Sequence, residues 1–203
     1  MFQRINVHPQ NPQERQIAKA VEIIKKTGGI CIYPTDTVYG VGCAASNIKK
    51  IKEIAQILHK DVNRRFSFVC NGLSQAEQYA KIENSSFKIM KRYIPGPYTF
   101  VLPSSQFVQK KISEKRKTIG IRITGFLTTR ILIEMLGEPL ANMSLNTDEE
   151  NHGNPDLYLT PEVTSGVDVI LDAGVLEGGD STVVDLTNGT PVVLRRGKGE
   201  FYE

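Results

Sequence analysis

The chain has 203 residues, of which 40% are hydrophobic and 23% are charged, a composition that can fill one globular core. A mean hydropathy of -0.23 and the lack of a long apolar run exclude a membrane protein with spanning helices. The first residues lack the basic start, apolar centre and cleavage site of a signal peptide, so we expect a cytoplasmic protein. From the length we expect residues 1–203 to form a single domain.

Cysteine and histidine usage indicates neither a disulfide framework nor a metal site. Cys31, Cys43 and Cys70 are odd in number and include no Cys-x-x-Cys pair, and the three histidines stand far from them in sequence. We therefore predict three buried thiols and no protein-held metal ion.

Charge is polarised along the chain, although the net charge is only +3. Residues 49–130 contain 17 Lys or Arg against 5 Asp or Glu, whereas residues 131–190 contain 12 Asp or Glu and no Lys or Arg. A basic surface that attracts a polyanion would produce this bias, and solvated helix faces would produce part of it. Charge alone leaves both interpretations open.

The first half of the chain alternates predicted helices and strands. Asn11-Pro12-Gln13-Glu14 has the form of a capped helix start, and apolar residues at helical spacing follow it. Residues 29–33 are predicted as a buried strand that Pro34 ends, because proline cannot donate a hydrogen bond to a sheet. Asn47 is placed to cap a second helix, and residues 66–70 are the next predicted strand.

The second half continues the alternation and then becomes richer in strands. A helix after Ser85 should end at Pro95-Gly96-Pro97, and residues 128–136 should be helical up to Gly137. Further strands are predicted at residues 98–102 and 117–123, near Leu140, and at 167–171, 182–186 and 192–195. Because several connections are too short for a crossover helix, we predict an α/β fold with a twisted sheet of parallel and antiparallel strands.

A dense group of polar residues and glycines follows the first predicted strand. Residues 33–42 read Tyr-Pro-Thr-Asp-Thr-Val-Tyr-Gly-Val-Gly. Glycines let the backbone approach a ligand, and hydroxyl and N–H groups offer neutral hydrogen bonds to it. A ligand-binding loop and a simple Asx or Ser/Thr turn both fit these residues.

This stretch resembles the signature loop of the YrdC/YciO family, Pro-Thr-(Asp/Glu)-Thr-Val-Tyr-Gly-x-Gly. Four later segments are similar to further motifs of the family and follow in the same order. The family motifs are Trp-Pro-Gly-Pro-Leu-Thr, matched at residues 93–102, Pro-Ser-Ala-Asn, matched at 143–146, Glu-Ser-Thr, matched at 179–184, and Leu-Arg-Pro-Gly, matched at 193–197. The resemblance covers nearly the whole chain. The single-domain length and residues 114–120 are most similar to the YciO branch.

The resemblance implies a single YrdC-like α/β domain with a basic concave face. For YrdC-type members it also implies synthesis of threonylcarbamoyl-AMP from L-threonine, bicarbonate and ATP, a nucleotidyltransferase reaction that supplies a tRNA adenosine modification. The implied threonine-binding residues are Thr37, Arg122 and Ser181. The implied ATP-binding residues are Thr118, Ser144, Asn146 and Arg195.

The implied reaction requires no catalytic side chain. A threonine carbamate presents its own carboxylate to the α-phosphorus of ATP, so positioning and electrostatic stabilisation are sufficient. ATP would enter as a complex with Mg²⁺ held largely by phosphates and water, and no tightly bound cofactor is expected.

The chain departs from the family pattern after the second helix. A Lys-x-Arg-Pro cluster is replaced by Leu-His-Lys-Asp-Val-Asn-Arg-Arg-Phe at residues 58–66, and Asn142 and Met143 stand where a small residue and a proline are usual. Lys60, Arg64 and Arg65 are therefore candidate contacts either to ATP phosphates or to a nucleic-acid backbone.

An RNA-binding protein of the YciO type without synthase activity is the alternative hypothesis. It would bind double-stranded RNA or tRNA through a basic cluster. The candidate phosphate contacts are Lys110, Lys111, Lys115, Arg116 and Lys117. A solvated surface loop that binds no RNA would explain the same basic cluster.

Overall fold

A computed structural model describes residues 2–59, 66–112, 116–145 and 153–202. The predicted contacts at Lys60, Arg64, Arg65, Lys115 and Asn146 lie outside these residues.

One mixed sheet runs through the described residues and confirms the predicted α/β fold class. Its strands, β1 to β10 in chain order, are Gln3–Asn6, Ile30–Tyr33, Gly40–Ala44, Ser67–Val69, Tyr98–Pro103, Thr118–Arg122, Leu140–Ser144, Val169–Asp172, Thr182–Asp185 and Val192–Arg195. Their order across the sheet is β1-β8-β2-β3-β7-β4-β6-β5-β9-β10. The pairs β1-β8, β2-β8, β4-β6 and β5-β9 are parallel, and the other pairs are antiparallel.

Helices connect many of these strands. In chain order, α1 to α7 are Glu14–Thr27, Lys50–Ile57, Leu73–Ala76, Asn84–Tyr93, Gln106–Lys111, Leu127–Leu136 and Pro161–Gly166. The apolar stripe predicted for α1 is buried and packs against α6 and β8. Gly28 and Gly137 follow α1 and α6 with φ values of 60° and 80°, a backbone conformation that favours glycine.

The two predicted helix caps are wrong, because neither asparagine is the N-cap residue of its helix. The backbone N–H of Asn11 donates to His8 Nδ1 at 3.0 Å, so the chain turns there and α1 begins only at Glu14. The Asn47 side chain donates to the carbonyl oxygen of Gly28 from a 3₁₀ turn that precedes α2. Asn47 therefore links the end of α1 to this turn.

A large part of the apolar core lies against one face of the sheet. Side chains alternate between the two faces of a strand, and directly paired residues share a face. Phe68, Ile121, Phe100 and Val184 form one such row across β4, β6, β5 and β9, and each is at most 1% exposed. The opposite face carries the polar residues described below.

The predicted burial of all three cysteines is confirmed. Within the described residues, no helix has the length and apolarity required to cross a bilayer.

Thiol reactivity tests this core. Burial raises the pKa of Cys43 to about 12 and raises the pKa values of Cys31 and Cys70 further. Because the thiolate is the reactive form, we expect the native protein at pH 8 to react slowly with a disulfide reagent such as DTNB, and all three thiols to react after denaturation. Rapid stoichiometric labelling of any cysteine in the native state would contradict the buried arrangement.

Candidate functional site

The strand register brings residues from several strands to one face of the sheet. Ser144 pairs with Gly40, Asn142 pairs with Ser67, and Ser67 pairs with Gly120. Since alternate residues of β6 share a side, Thr118 and Arg122 lie on the same face as Gly120. We call this surface the polar face, and its polar residues are Tyr33, Ser67, Thr99, Thr118, Arg122, Asn142, Ser144, Ser181 and Arg195.

Tyr33 closes one end of the polar face. Its hydroxyl donates to Asn142 Oδ1 at 2.5 Å, and burial raises the pKa of Tyr33 well above its ordinary value, so the phenol stays protonated. A Cβ atom on Gly40 would lie 2.9 Å from the Tyr33 ring, and one on Gly42 would lie 3.2 Å from it. The two signature glycines thus make room for a buried tyrosine, a packing role that the sequence did not indicate.

The loop between β2 and β3 is attached to Arg122 at the end of β6. Arg122 Nη2 donates to Thr37 Oγ1 at 2.8 Å and to Thr35 Oγ1 at 3.1 Å, and it forms an ion pair with Asp36. The second carboxylate oxygen of Asp36 accepts the backbone N–H of Gly125 at 2.9 Å. The structure therefore brings the predicted pair Thr37 and Arg122 together and adds Thr35 and Asp36 from the same motif.

Arg122 has one buried donor that the described residues do not satisfy. Arg122 is 7% exposed, and its Nε is buried with no hydrogen-bond partner among the described residues. A buried donor without an acceptor costs about 1–3 kcal/mol, so a ligand oxygen at this point would be stabilising. The loop already engages Nη2. A ligand carboxylate that accepts from both Nε and Nη2 must therefore share Nη2 with Asp36.

Ser181 and Arg195 form a second cluster on the polar face. Arg195 donates from Nε and Nη2 to the Ser181 carbonyl oxygen at 3.0 and 2.9 Å, and from Nη2 to Ser181 Oγ at 3.1 Å. Ser181 Oγ lies 2.9 Å from Thr99 Oγ1. Ser181, a predicted threonine-binding residue, is thus in direct contact with Arg195, a predicted ATP-binding residue.

Thr99 joins the two clusters. The register that pairs Phe100 with Ile121 places Thr99 beside Arg122 on the polar face. A polar path therefore runs from Thr37 through Arg122 and Thr99 to Ser181. Thr99 lies in the motif at residues 93–102 but was not predicted as a site residue, because its contacts depend on β5 lying between β6 and β9.

Gly120 lies close to Ser67 and Thr99, so a larger residue would crowd this part of the polar face. A Cβ atom there would lie 3.0 Å from the Ser67 Cβ and 3.3 Å from the Thr99 Cγ2. Of the residues predicted for ATP, Thr118 is exposed at the start of β6 and Ser144 lies at the end of β7.

The predicted RNA contacts lie along the connection between β5 and β6. Lys110 and Lys111 belong to α5, and Lys117 is exposed just before β6. Arg116 is partly buried, with its guanidinium carbon 3.9 Å from the centre of the Phe66 ring, and burial lowers its pKa. Arg116 therefore takes part in packing.

A family model places the chain among known proteins. The model for the Sua5/YciO/YrdC domain, described as "Telomere recombination", matches residues 23–197. The chain belongs to the Sua5/YciO/YrdC family. The resemblance seen in the sequence motifs is thereby confirmed.

Two relatives illustrate the range of this family. The uncharacterized protein YciO of Escherichia coli K12 is 37% identical over 203 residues, which cover 98% of each chain. The threonylcarbamoyl-AMP synthase of Pyrococcus abyssi is 30% identical over 187 residues, which cover 91% of this chain and 55% of the synthase.

Solved structures of family members share the fold. The crystal structure of E. coli YciO superposes with a TM-score of 0.87 at 36% identity and covers 98% of both chains. P. abyssi Sua5 complexed with L-threonine superposes with a TM-score of 0.84 at 30% identity, over 96% of this chain and 57% of Sua5.

The ion pair between Arg122 and Asp36 should be a measurable part of stability. Arg122→Ala leaves an 18%-exposed carboxylate without its cation, so we expect a loss of about 3 kcal/mol in the free energy of unfolding by urea. Adding Asp36→Asn should recover part of that loss, because the remaining charge is removed. The exposed Arg130→Ala is the matched control, with an expected change below about 0.5 kcal/mol. Equal effects of Arg122→Ala and Arg130→Ala would contradict a buried pair.

Proposed function

We propose that the protein is a threonylcarbamoyl-AMP synthase, which makes this adenylate from L-threonine, bicarbonate and ATP for modification of tRNA in the cytoplasm. The observation that carries the proposal is the buried Arg122 Nε, which has no acceptor within the described residues and lies beside Thr37. Family membership supports it, since one member is named a threonylcarbamoyl-AMP synthase and a Sua5 structure contains L-threonine.

In this proposal the amino acid lies over the polar path between the two clusters. Its carboxylate accepts from Arg122, because a charge-assisted hydrogen bond satisfies the buried Nε. The hydroxyls of Thr37 and Ser181 contact its remaining polar groups. Arg122 and Ser181 flank Thr99, so one amino acid can reach both.

In this proposal ATP contacts the polar face at residues of β6, β7 and β10. Thr118 and Ser144 are the proposed hydroxyl contacts, and Asn146 is the proposed amide contact outside the described residues. The Arg195 side chain is 46% exposed, so part of its guanidinium can meet a phosphate. Lys60, Arg64 and Arg65 stay candidate phosphate contacts.

Mg²⁺ would enter with the nucleotide. The described residues contain no group of three or more His, Cys, Asp or Glu side chains that could hold a metal ion. Phosphate oxygens and water are sufficient ligands for Mg²⁺, and the ion would neutralise charge on the phosphates.

The reaction then depends on position and charge. The threonine amine and bicarbonate give a carbamate and water, and the carbamate oxygen forms a bond to the α-phosphorus as the bond to pyrophosphate breaks. The buried thiols, with their raised pKa values, offer no nucleophile. Arg195 places positive charge near the departing pyrophosphate.

RNA binding stays a prediction of the sequence. Arg116 packs over Phe66, and Lys115 lies outside the described residues. The proposal is therefore based on the polar face.

Direct assay tests the synthase proposal. Incubation with ATP, L-threonine, bicarbonate and Mg²⁺ should release pyrophosphate and yield a new adenylate by mass spectrometry, and omission of threonine should abolish both. Arg122→Ala should weaken threonine binding on the order of a hundredfold, because the ligand carboxylate loses its charged partner. Arg130→Ala is the matched control. No threonine binding and no pyrophosphate from the unmodified protein would exclude the proposal.

Thr37→Val tests the loop assignment. Losing one neutral hydrogen bond costs about 0.5–1.5 kcal/mol, so threonine affinity should fall by roughly tenfold while ATP affinity changes little. Isothermal titration calorimetry measures both, and Thr27→Val at the end of α1 is the control. An equal loss for the two ligands would remove Thr37 from the amino-acid site.

A further inference from the structure

Arg195 uses its guanidinium within the chain. Its Nε and Nη2 donate to Ser181, and its Nη1 forms an ion pair with Asp180 at 2.9 Å. The turn after β10 packs directly against the same segment, because a Cβ atom on Gly197 would lie 2.7 Å from the Ser181 carbonyl oxygen. Arg195 therefore encloses residues 180 and 181 from the side of β10.

The segment that leads to Ser181 needs such a restraint. Between β8 and β9 it contains Gly174, Gly178 and Gly179, with φ values of 81°, 78° and 83°. Glycine loses more conformational entropy on ordering than any other residue, so this connection is costly to fix. Ser181 lies at its end, immediately before β9, and is 6% exposed.

The contacts around Ser181 fix both its backbone and its hydroxyl. Arg195 Nη2 contacts the carbonyl oxygen and the Oγ together, and Nε contacts the same carbonyl oxygen. Thr99 contacts the same Oγ from β5, the strand next to Arg122. The position of the Ser181 hydroxyl relative to Arg122 thus depends on Arg195.

We propose that Arg195 is a positioning residue for the amino-acid site. It orders Ser181 beside Thr99 before any ligand arrives, so affinity for the amino acid depends on Arg195 even when no nucleotide is present. This inference rests on the proposed function, in which Ser181 contacts threonine. A residue that served ATP phosphates alone would have no effect on threonine in the absence of nucleotide.

Calorimetry with L-threonine and no nucleotide is the first test. Arg195→Ala should weaken threonine by roughly tenfold, the cost of losing one ordered hydrogen bond. Arg195→Lys should give a similar loss, because one ammonium nitrogen keeps the charge for phosphate but cannot replace the separate Nε, Nη1 and Nη2 contacts to Ser181 and Asp180. Arg196→Ala, which removes the same charge at the adjacent exposed position, should leave threonine affinity unchanged.

A double-mutant cycle tests whether Arg195 acts through Ser181. If it does, Ser181→Ala combined with Arg195→Ala should bind threonine no more weakly than Ser181→Ala alone. Unchanged threonine affinity in Arg195→Ala would overturn the proposal, and so would additive losses in the double variant.

Hydrogen exchange separates this inference from the proposed function. If the unmodified protein does not bind threonine, the proposed function fails, and positioning is then judged from the ligand-free protein. Arg195→Ala should raise amide exchange in residues 174–182 relative to both the unmodified protein and Arg196→Ala. Arg195→Lys takes its place if the alanine variant does not fold. Unchanged exchange in this segment would overturn the positioning role.

Discussion

The ion pair between Arg122 and Asp36 joins two parts of the sheet that are not neighbours. Arg122 ends β6, Asp36 belongs to the loop after β2, and three strands lie between them in the sheet order. Removing two charges from water costs several kcal/mol and is offset only by good geometry and further hydrogen bonds. Thr35, Thr37 and the N–H of Gly125 supply these bonds. The loop therefore has one well-defined position on the polar face, and the proposed amino-acid site depends on it.

Strand alternation explains why one surface can hold so many polar groups without disturbing the core. Each polar residue of β4, β6 and β7 on this face alternates with an apolar residue on the other, such as Phe68, Ile121 or Met143. A register shift of one residue would move Arg122 into the apolar core and place Ile121 on the polar face. The hydrophobic core and the ligand site are thus two consequences of a single register.

Local patterns in the sequence predicted most of the strands, the stop of α6 at Gly137 and the mixed sheet, because periodicity and turn residues act over short distances. β3 was not predicted, since its small residues continue the pattern of the preceding loop. The cap assigned to Asn47 failed because Gly28, 19 residues away, competes for its side chain. Family motifs named Ser181 and Arg195, but their contact depends on strand order, which no local pattern encodes.

Sheet order also has a consequence for the way in which the protein is made. Strand β1 pairs with β8, whose residues are synthesised more than a hundred and sixty positions later. The last strand, β10, carries Arg195. A nascent chain therefore cannot complete the polar face before β10 has been synthesised, and a chain truncated after β9 would lack Arg195 and its contacts to Ser181.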